Sequence, residues 1–393
     1  MRRTIAAITT SRADYSHLYW PLRELHTRKN VDLKLLVTGA HLSAEFGNTV
    51  DEIVADGFHV DERVESLLSS DTDVGMAKTI GLATSGLADV LGRMRPDLLL
   101  IIADRYEMLA PASVALALRI PLAHIEGGEI SEGAIDQQVR DALTKMSHVH
   151  FAPTDDAAKR IEAMGEEPWR IHCVGAPSLD HLRNSRIPDR HEVEAALAVD
   201  LRKPTIVVAH HPVTIERETT AEVHAVFSAL EELEHQIVLC FPNADAGSRS
   251  IIERAKTLCA SRERAHLFVN LNPILYWGLL SHASLMIGNS SSGVMETPAM
   301  RLPTVNIGFR QHGRTRAANI IDVPAERDAI VQAVPRAMSD AFVQSLDGMD
   351  NPYGDGHAGE RIADVLNSIE INERLQRKRI ALATSSMNTF VSS

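Results

Sequence analysis

The sequence predicts an α/β protein built from two doubly wound parallel sheets with a cleft between them. Three observations carry this. Short aliphatic runs of four to seven residues alternate with helix-length segments from end to end. The runs are apolar at successive rather than alternate positions, the pattern of strands covered on both faces. The rhythm breaks over the polar, charge-mixed stretch from Leu182 to Arg202 and then restarts.

In chain order the first set is TIAAITT, LKLLVTG, LLLIIAD, IPLAHIE, HVHFAPT and IHCVGA, rich in Val, Ile and Leu and bounded by Gly, Pro or Asp. The second set is PTIVVAHHP, QIVLCFP, AHLFVN, SLMIGNS and LPTVNIG. Residues 1–175 are therefore read as one domain and 176–357 as another, with 358–393 supplying a helix that packs back on the first domain and a tail that frays. A chain of 393 residues with 45% hydrophobic content can fill both cores.

Composition narrows the function. The net charge is -12 and the basic residues are scattered, so no nucleic-acid footprint is expected. Cys173, Cys240 and Cys259 show no CxxC spacing, which argues against a zinc site or disulfide framework, suits a reducing compartment and marks them as core packing residues. The first apolar run is too short for a signal peptide and no later stretch reaches spanning length. A cytoplasmic protein without a membrane partner is expected.

In a doubly wound sheet, ligands gather beyond the carboxyl ends of the strands, where strand order reverses. Asp104 ends LLLIIAD, Glu126 ends IPLAHIE, and His210 and His211 end TIVVAHH. Asn243 and Asp245 follow IVLCFP, and Asn289 to Ser292 follow SLMIG. Neighbouring residues on a strand point to opposite faces, and His211 is taken as the histidine facing the cleft. In GNSSSGVMETPA, small side chains, serine hydroxyls and a helix start suit a phosphate, although Ser and Asn also serve as plain caps. Glu296 follows where it can accept from sugar hydroxyls. Arg310 and Arg314 in FRQHGRTR move the reading toward a diphosphate, and Arg12 in SRADYSH can reach it from the other lobe. The string Asp71-Thr-Asp73 has no strand before it, so Asp71 is read as a helix cap and no metal is expected.

HIEGGEISEGAID concentrates carboxylates behind a buried strand. Gly127 and Gly128 allow a sharp turn and the approach of a bulky ring to the backbone. Asp136 opens the helical pattern DQQVRDALTKM ten residues after Glu126, and Asp104 arrives from the neighbouring strand end. Carboxylates sharing a crevice repel, so at least one pKa should rise, giving an acid and a base at one pH. That equips the site to move a carbon-bound proton. Glu129 and Glu132 are read as solvated or structural.

SRADYSHL, ADRYEML, HIEGGEISEGAIDQQVRDALTKMSHVHF, VGAPSLD, HHPVT, PNADAGS and GNSSSGVMETPAMRLPTVNIGFRQHGR, in this order from about Arg12 to Arg314, resemble the hydrolysing UDP-N-acetylglucosamine 2-epimerases. The resemblance implies a GT-B architecture of two Rossmann-like lobes with the nucleotide sugar between them, as a homodimer or homotetramer. No cofactor is implied, in keeping with the missing GxGxxG. Asp104, Glu126, Asp136 and His211 match the family's catalytic positions, and Arg12, Ser290, Ser291, Glu296 and Arg310 its nucleotide-sugar contacts. Asn243, Asp245 and Arg314 are added to the binding set from their places in the chain. The Glu126 to Asp136 spacing is one residue longer than in the animal bifunctional members, as in bacterial relatives. The implied reaction converts UDP-N-acetylglucosamine and water to N-acetylmannosamine and UDP for sialic-type acids. Its rivals are the same chemistry on a UDP-2,4-diacetamido-2,4,6-trideoxyhexose, a non-hydrolysing epimerase and a GT-B glycosyltransferase.

Overall fold

In the computed structural model, described at residues 2–68, 70, 72–132, 135–213, 220–240, 248–268 and 271–381, the strands form two wholly parallel sheets. The first holds β1 (Arg3–Thr9), β2 (Val31–Thr38), β3 (Glu62–Val64), β4 (Leu98–Ile102), β5 (Leu122–Ile125), β6 (Val149–Ala152) and β7 (Ile171–Cys173), in the order β3-β2-β1-β4-β5-β6-β7. The second holds β8 (Thr205–Ala209), β9 (Gln236–Cys240), β10 (Ala265–Phe268), β11 (Leu285–Gly288), β12 (Thr304–Ile307) and β13 (Ile320–Val323), in the order β10-β9-β8-β11-β12-β13. Strand order reverses between β1 and β4 and again between β8 and β11, which places a ligand crevice at each reversal. This is the pair of Rossmann-like, GT-B-like sheets that the sequence leads one to expect. The sequence runs miss β3 and β13. Both are edge strands, ERV and IIDV, with exposed or half-exposed positions and no continuous apolar run.

Burial on both faces explains the aliphatic runs. All five residues of β4 are buried, and in β8 Ile206 and Val208 join the core on one side of the sheet while Val207 and Ala209 join the other. Helices begin where the sequence supplies a cap: Ser11 accepts from the Asp14 N–H at the start of helix Arg12–Thr27. Helix Asp73–Met94 is capped by Thr72, whose side chain accepts from Gly75 N–H. The cap expected of Asp71 lies outside the described residues, and Asp73 bonds the adjacent Val74 N–H at 2.7 Å.

The first core is completed from the far end of the chain. Helix Ala358–Ser368 lies on helix Arg12–Thr27, and its Ile362, Ala363 and Leu366 join the core of the first sheet. Beyond it the basic segment docks instead of fraying. Buried Arg170 donates to the carbonyls of Arg374 (2.8 Å) and Leu375 (2.9 Å), Arg374 and Arg170 flank the Trp169 ring, and Lys378 meets Glu166 at 2.8 Å. Residues 382–393 lie outside the described residues. The two passages between the lobes run side by side, with Ala176 N–H donating to Tyr353 O at 2.7 Å.

Cys240 and Cys259 are half-buried and pack against the two cores of the second lobe, as core packing residues would, whereas Cys173 is exposed. Each sits at or near the end of an element, where spacing alone says nothing of burial. Among the described residues no helix is long and apolar enough to cross a membrane.

Two substitutions test this architecture by urea unfolding. Leu366→Ala, at a fully buried position, is expected to lower stability by about 2–5 kcal/mol. Gly288 ends β11 at φ +144°, where a Cβ would stand 2.0 Å from the Ala209 carbonyl oxygen. Gly288→Ala is expected to cost about 1–3 kcal/mol or more, and an unchanged unfolding midpoint would contradict the close packing of β11 on β8.

Candidate active site

The strand ends at the two reversals line one cleft made of two adjoining cavities. The larger, about 230 Å³, is bounded by Arg12, His211, Ser290, Ser291, Glu296 and Arg310, with Phe268, Leu271 and Pro273 as an apolar wall. The smaller, about 100 Å³, is bounded by Asp104, Glu126, Glu129, Asp136, Arg140 and Arg314. Ala13, His17, Arg105, Ser291 and Arg310 border both, so a serine and arginine compartment opens directly onto a carboxylate compartment.

Local backbone geometry turns the acids into this cleft. After β5, Glu126 N–H still bonds Phe151 O at 2.9 Å, but the residue adopts φ +63°, a left-handed conformation that costs a non-glycine residue energy. Ala103 does the same after β4, at φ +55°, and Asp104 follows it. The diglycine makes the sharp turn expected of it, but packs against protein rather than toward the cleft. Gly128 sits at φ +77°, and a Cβ there would lie 2.3 Å from the Ala157 carbonyl oxygen. It fits the chain against helix Asp155–Ala163, and neither glycine borders the cavities.

Glu126 Oε1 lies 2.6 Å from His17 Nδ1, and His17 Nε2 lies 3.9 Å from Glu296 Oε1 of the second lobe. Burial alone would raise the Glu126 pKa, but the charge and hydrogen bond of His17, helped by Arg314 and His124, oppose it and together hold the carboxyl below its ordinary range. Burial would likewise lower His17, but Glu126, helped by Glu296, pushes it up to about 9. Glu129 behaves oppositely: burial raises its pKa against the opposing pull of Arg314 and of the Tyr353 hydroxyl, which donates to Oε2 at 3.1 Å. The divergence expected among the carboxylates thus falls on Glu126 and Glu129. Glu129 is buried, not solvated, whereas Glu132 is exposed.

Asp104 is in close contact with Arg140, a buried residue of helix Asp136–Met146 that also donates to Glu129 O at 3.0 Å. Asp136 opens that helix with Oδ2 3.8 Å from Arg310 Nη2. From the second lobe, Asn289 clasps the His211 backbone, accepting from its N–H at 2.7 Å and donating to its carbonyl at 2.9 Å. His211 borders the larger cavity, while His210 Nε2 lies 3.8 Å from Glu222. Burial, and then Arg310, push His211 down to about 3, so its imidazole is neutral.

Arg310 Nη1 donates to Asn289 O at 3.1 Å, and its buried Nε has no hydrogen-bond partner among the described residues. The serines open only a four-residue helix, Ser292–Met295, which passes into the 3-10 turn Thr297–Met300. So short a helix has little dipole, and affinity for an anion rests on Arg310 and the hydroxyls. Ser292 Oγ donates to Glu296 Oε2 at 2.6 Å. Arg12 Nη1 crosses the cleft to Leu271 O at 2.7 Å. Arg314 stands apart from the expected diphosphate set: it borders only the carboxylate compartment, donating to Ile130 O at 3.0 Å and Ser131 Oγ at 3.1 Å. Asn243 and Asp245 lie outside the described residues.

Sequence reasoning overlooked His17, Arg140, Asn289 as a clasp, and Tyr353. Helical spacing could have found two of them. His17 follows Ala13 by one turn on the face bordering the cleft, and Arg140 follows Asp136 in the same way. Tyr353 meets Glu129 from 224 positions away, beyond any local signal.

Comparison with known proteins identifies the family and the fold. A family model described as UDP-N-acetylglucosamine 2-epimerase matches residues 23–367. The chain is 35% identical over 347 residues to the Campylobacter jejuni protein named GDP/UDP-N,N'-diacetylbacillosamine 2-epimerase (hydrolyzing), covering 88% of this chain and 90% of that one. It is 34% identical over 379 residues to the Legionella pneumophila protein named UDP-N,N'-diacetylbacillosamine 2-epimerase (hydrolyzing), covering 96% and 99%. It is also 30% identical to the Escherichia coli polysialic acid biosynthesis protein P7, over 89% of this chain and 90% of that one. The fold is that of the Neisseria meningitidis UDP-GlcNAc 2-epimerase bound to UDP-GlcNAc, with TM-score 0.80 at 18% identity, covering 93% of this chain and 100% of that one. With a family model spanning most of its length and relatives of this similarity, the chain belongs to the UDP-N-acetylglucosamine 2-epimerase family, among its hydrolysing members.

Proposed function

We propose that this protein hydrolyses a UDP-2-acetamido-2-deoxyhexose with inversion at C2, releasing the free 2-epimeric sugar and UDP. One observation carries the reading: the ionised Glu126 stands in a compartment continuous with Ser291 and Arg310, so a base and a diphosphate site meet across one sugar ring.

The C2 hydrogen of such a sugar is not acidified by a neighbouring carbonyl, and it can leave only as the C1–O bond breaks. Glu126 takes that proton, the C2–H electron pair becomes the C1=C2 bond of a 2-acetamidoglycal, and the C1–O pair departs on the diphosphate oxygen. Arg310, Ser290 and Ser291 stabilise the charge gathering there, with Arg12, Glu296 and the neutral His211 completing the nucleotide-sugar contacts. In the second half, a carboxylic acid of the Asp104 and Asp136 pair delivers its proton to C2 on the opposite face, the C1=C2 electron pair forms that C–H bond, and water bonds to C1 while its surplus proton returns to the carboxylate so formed. The Arg140 contact holds Asp104 as a positioning group.

The substrate's remaining groups divide two readings. The relatives at 34% and 35% identity are named for UDP-N,N'-diacetylbacillosamine, and the carboxylate compartment includes the apolar Ile102, Ala103 and Met295 and the ring of Tyr106. Such a wall suits a C6 methyl, and we favour the 2,4-diacetamido-2,4,6-trideoxy sugar, with UDP-N-acetylglucosamine as the second reading on the strength of the family model. A cytoplasmic homodimer or homotetramer is the form that the family resemblance implies.

Incubating the protein with each UDP-sugar in D2O and following C2 by proton NMR tests the proposal. Deuterium at C2 and free UDP in step with free sugar are expected. Release of an epimerised UDP-sugar would support the non-hydrolysing rival, and turnover only with an acceptor would support a glycosyltransferase. Glu126→Gln is expected to lower turnover by about 10²–10⁴-fold with UDP binding kept. Arg310→Ala is expected to weaken UDP binding about 10- to 100-fold by calorimetry.

A further inference from the structure

Resting on that reading, we infer that His17 is a positioning residue of the site: its imidazolium, clamped between acids of the two lobes, keeps Glu126 ionised where a ring proton is taken up. His17 lies in the second turn of helix Arg12–Thr27 and borders both compartments. Its Nδ1–H donates to Glu126 Oε1 at 2.6 Å, and its Nε2 faces Glu296 Oε1 at 3.9 Å.

None of the nearby guanidiniums forms an ion pair with Glu126 among the described residues, although the charge of Arg314 assists from farther off. Arg140 is bonded to Asp104 and Glu129 O, Arg314 to Ile130 O and Ser131 Oγ, and Arg310 to Asn289 O. A buried carboxylate that lacks a contacting cation takes up a proton, and a protonated Glu126 could not accept one from C2. The other titratable groups facing His17 reinforce its charge or leave it unopposed. Asp14, on the same helix, bonds Thr10 N–H at 3.2 Å, and His181, which binds Ser16 O at 2.9 Å, is pushed by burial down to about 4 and stays neutral. No proton leaves the His17 ring in this scheme. The C2 proton passes to Glu126, and the imidazolium remains as it was.

His17→Gln keeps a hydrogen-bond donor but removes the charge, and His17→Lys restores a charge without the ring. In His17→Gln the acid limb of the kcat profile is expected to move up by about one to two pH units, an approximately 10- to 100-fold loss on the acid side that recovers as pH rises. UDP affinity measured by calorimetry should stay within about threefold, less than half the free energy of one pKa unit. His17→Lys should return the limb toward its original position. A limb unmoved in His17→Gln, or activity depressed equally at every pH, overturns the inference.

A second measurement separates this from the proposed reaction. NMR of the imidazole in the unreacted protein should show His17 titrating near about 9, and lower in Glu126→Gln. If no UDP-sugar turns over, the reaction reading fails and this titration still decides the pairing; if His17 titrates like a free imidazole, the pairing fails whatever the substrate.

Discussion

A carboxylate that must stay charged inside a buried cleft is the constraint around which this molecule is arranged. Burial works against the ion at Glu126, and the imidazole of His17 at 2.6 Å, helped by Arg314 and His124, reverses that balance. The consequences reach outward. The contact requires Glu126 to leave the sheet at once, which it does in a left-handed conformation, and that conformation is held by Glu126 N–H bonding β6 on one side and by Gly128 packed against helix Asp155–Ala163 on the other. The cost of strain at one residue is met by packing at several. The diglycine after a buried strand thus serves the acid indirectly, by letting the turn close behind it.

The second lobe enters the same balance. Glu296 stands on the far side of His17, Arg314 reaches across to the Glu129–Ser131 turn, Arg12 crosses in the other direction to Leu271, and Arg160 joins Gly128 O to Gly313 O. Tyr353, at the return passage, bonds Glu129. Most of these interlobe links use an arginine on one side and a backbone carbonyl on the other. Such bonds orient the lobes without consuming the acids that chemistry needs, and Arg310, at the wall of both cavities, keeps a buried N–H unpaired among the described residues. The arginines that look alike in sequence are therefore divided between holding the lobes together and meeting an anion.

Much of this was legible in the chain. Aliphatic runs locate the strands because a two-sided parallel sheet demands apolar residues at nearly every position, and they fail at β3 and β13, whose short edge segments ERV and IIDV carry charged residues. Strand-end polar residues locate Asp104, Glu126 and His211 because the topology brings those ends to one crevice. The place of Arg314 in the carboxylate compartment was not legible, since a guanidinium four residues from another has nothing local to say which of two compartments it enters. Cys173 departed from its expected packing for a similar reason: residue type speaks to average burial, and position in the element decides the particular case. His17 was the missed residue with a usable signal, because helical spacing from Ala13 already put it beside the cleft.

The arrangement also explains why elimination should be favoured over simple displacement at C1. A displacement needs a water or acceptor activated on the face opposite the leaving group, whereas the described acids lie in a compartment joined sideways to the diphosphate site through Ser291 and Arg310. On the proposed reading the carboxylate compartment would meet C2, and Arg310 with the serines would meet the diphosphate. Because His17 borders both compartments and carries the positive charge that Glu126 requires, proton uptake and departure of the leaving group are felt by one imidazolium. Coupling of the two bond-breaking events then needs no relay between lobes; it follows from two cavities sharing a wall.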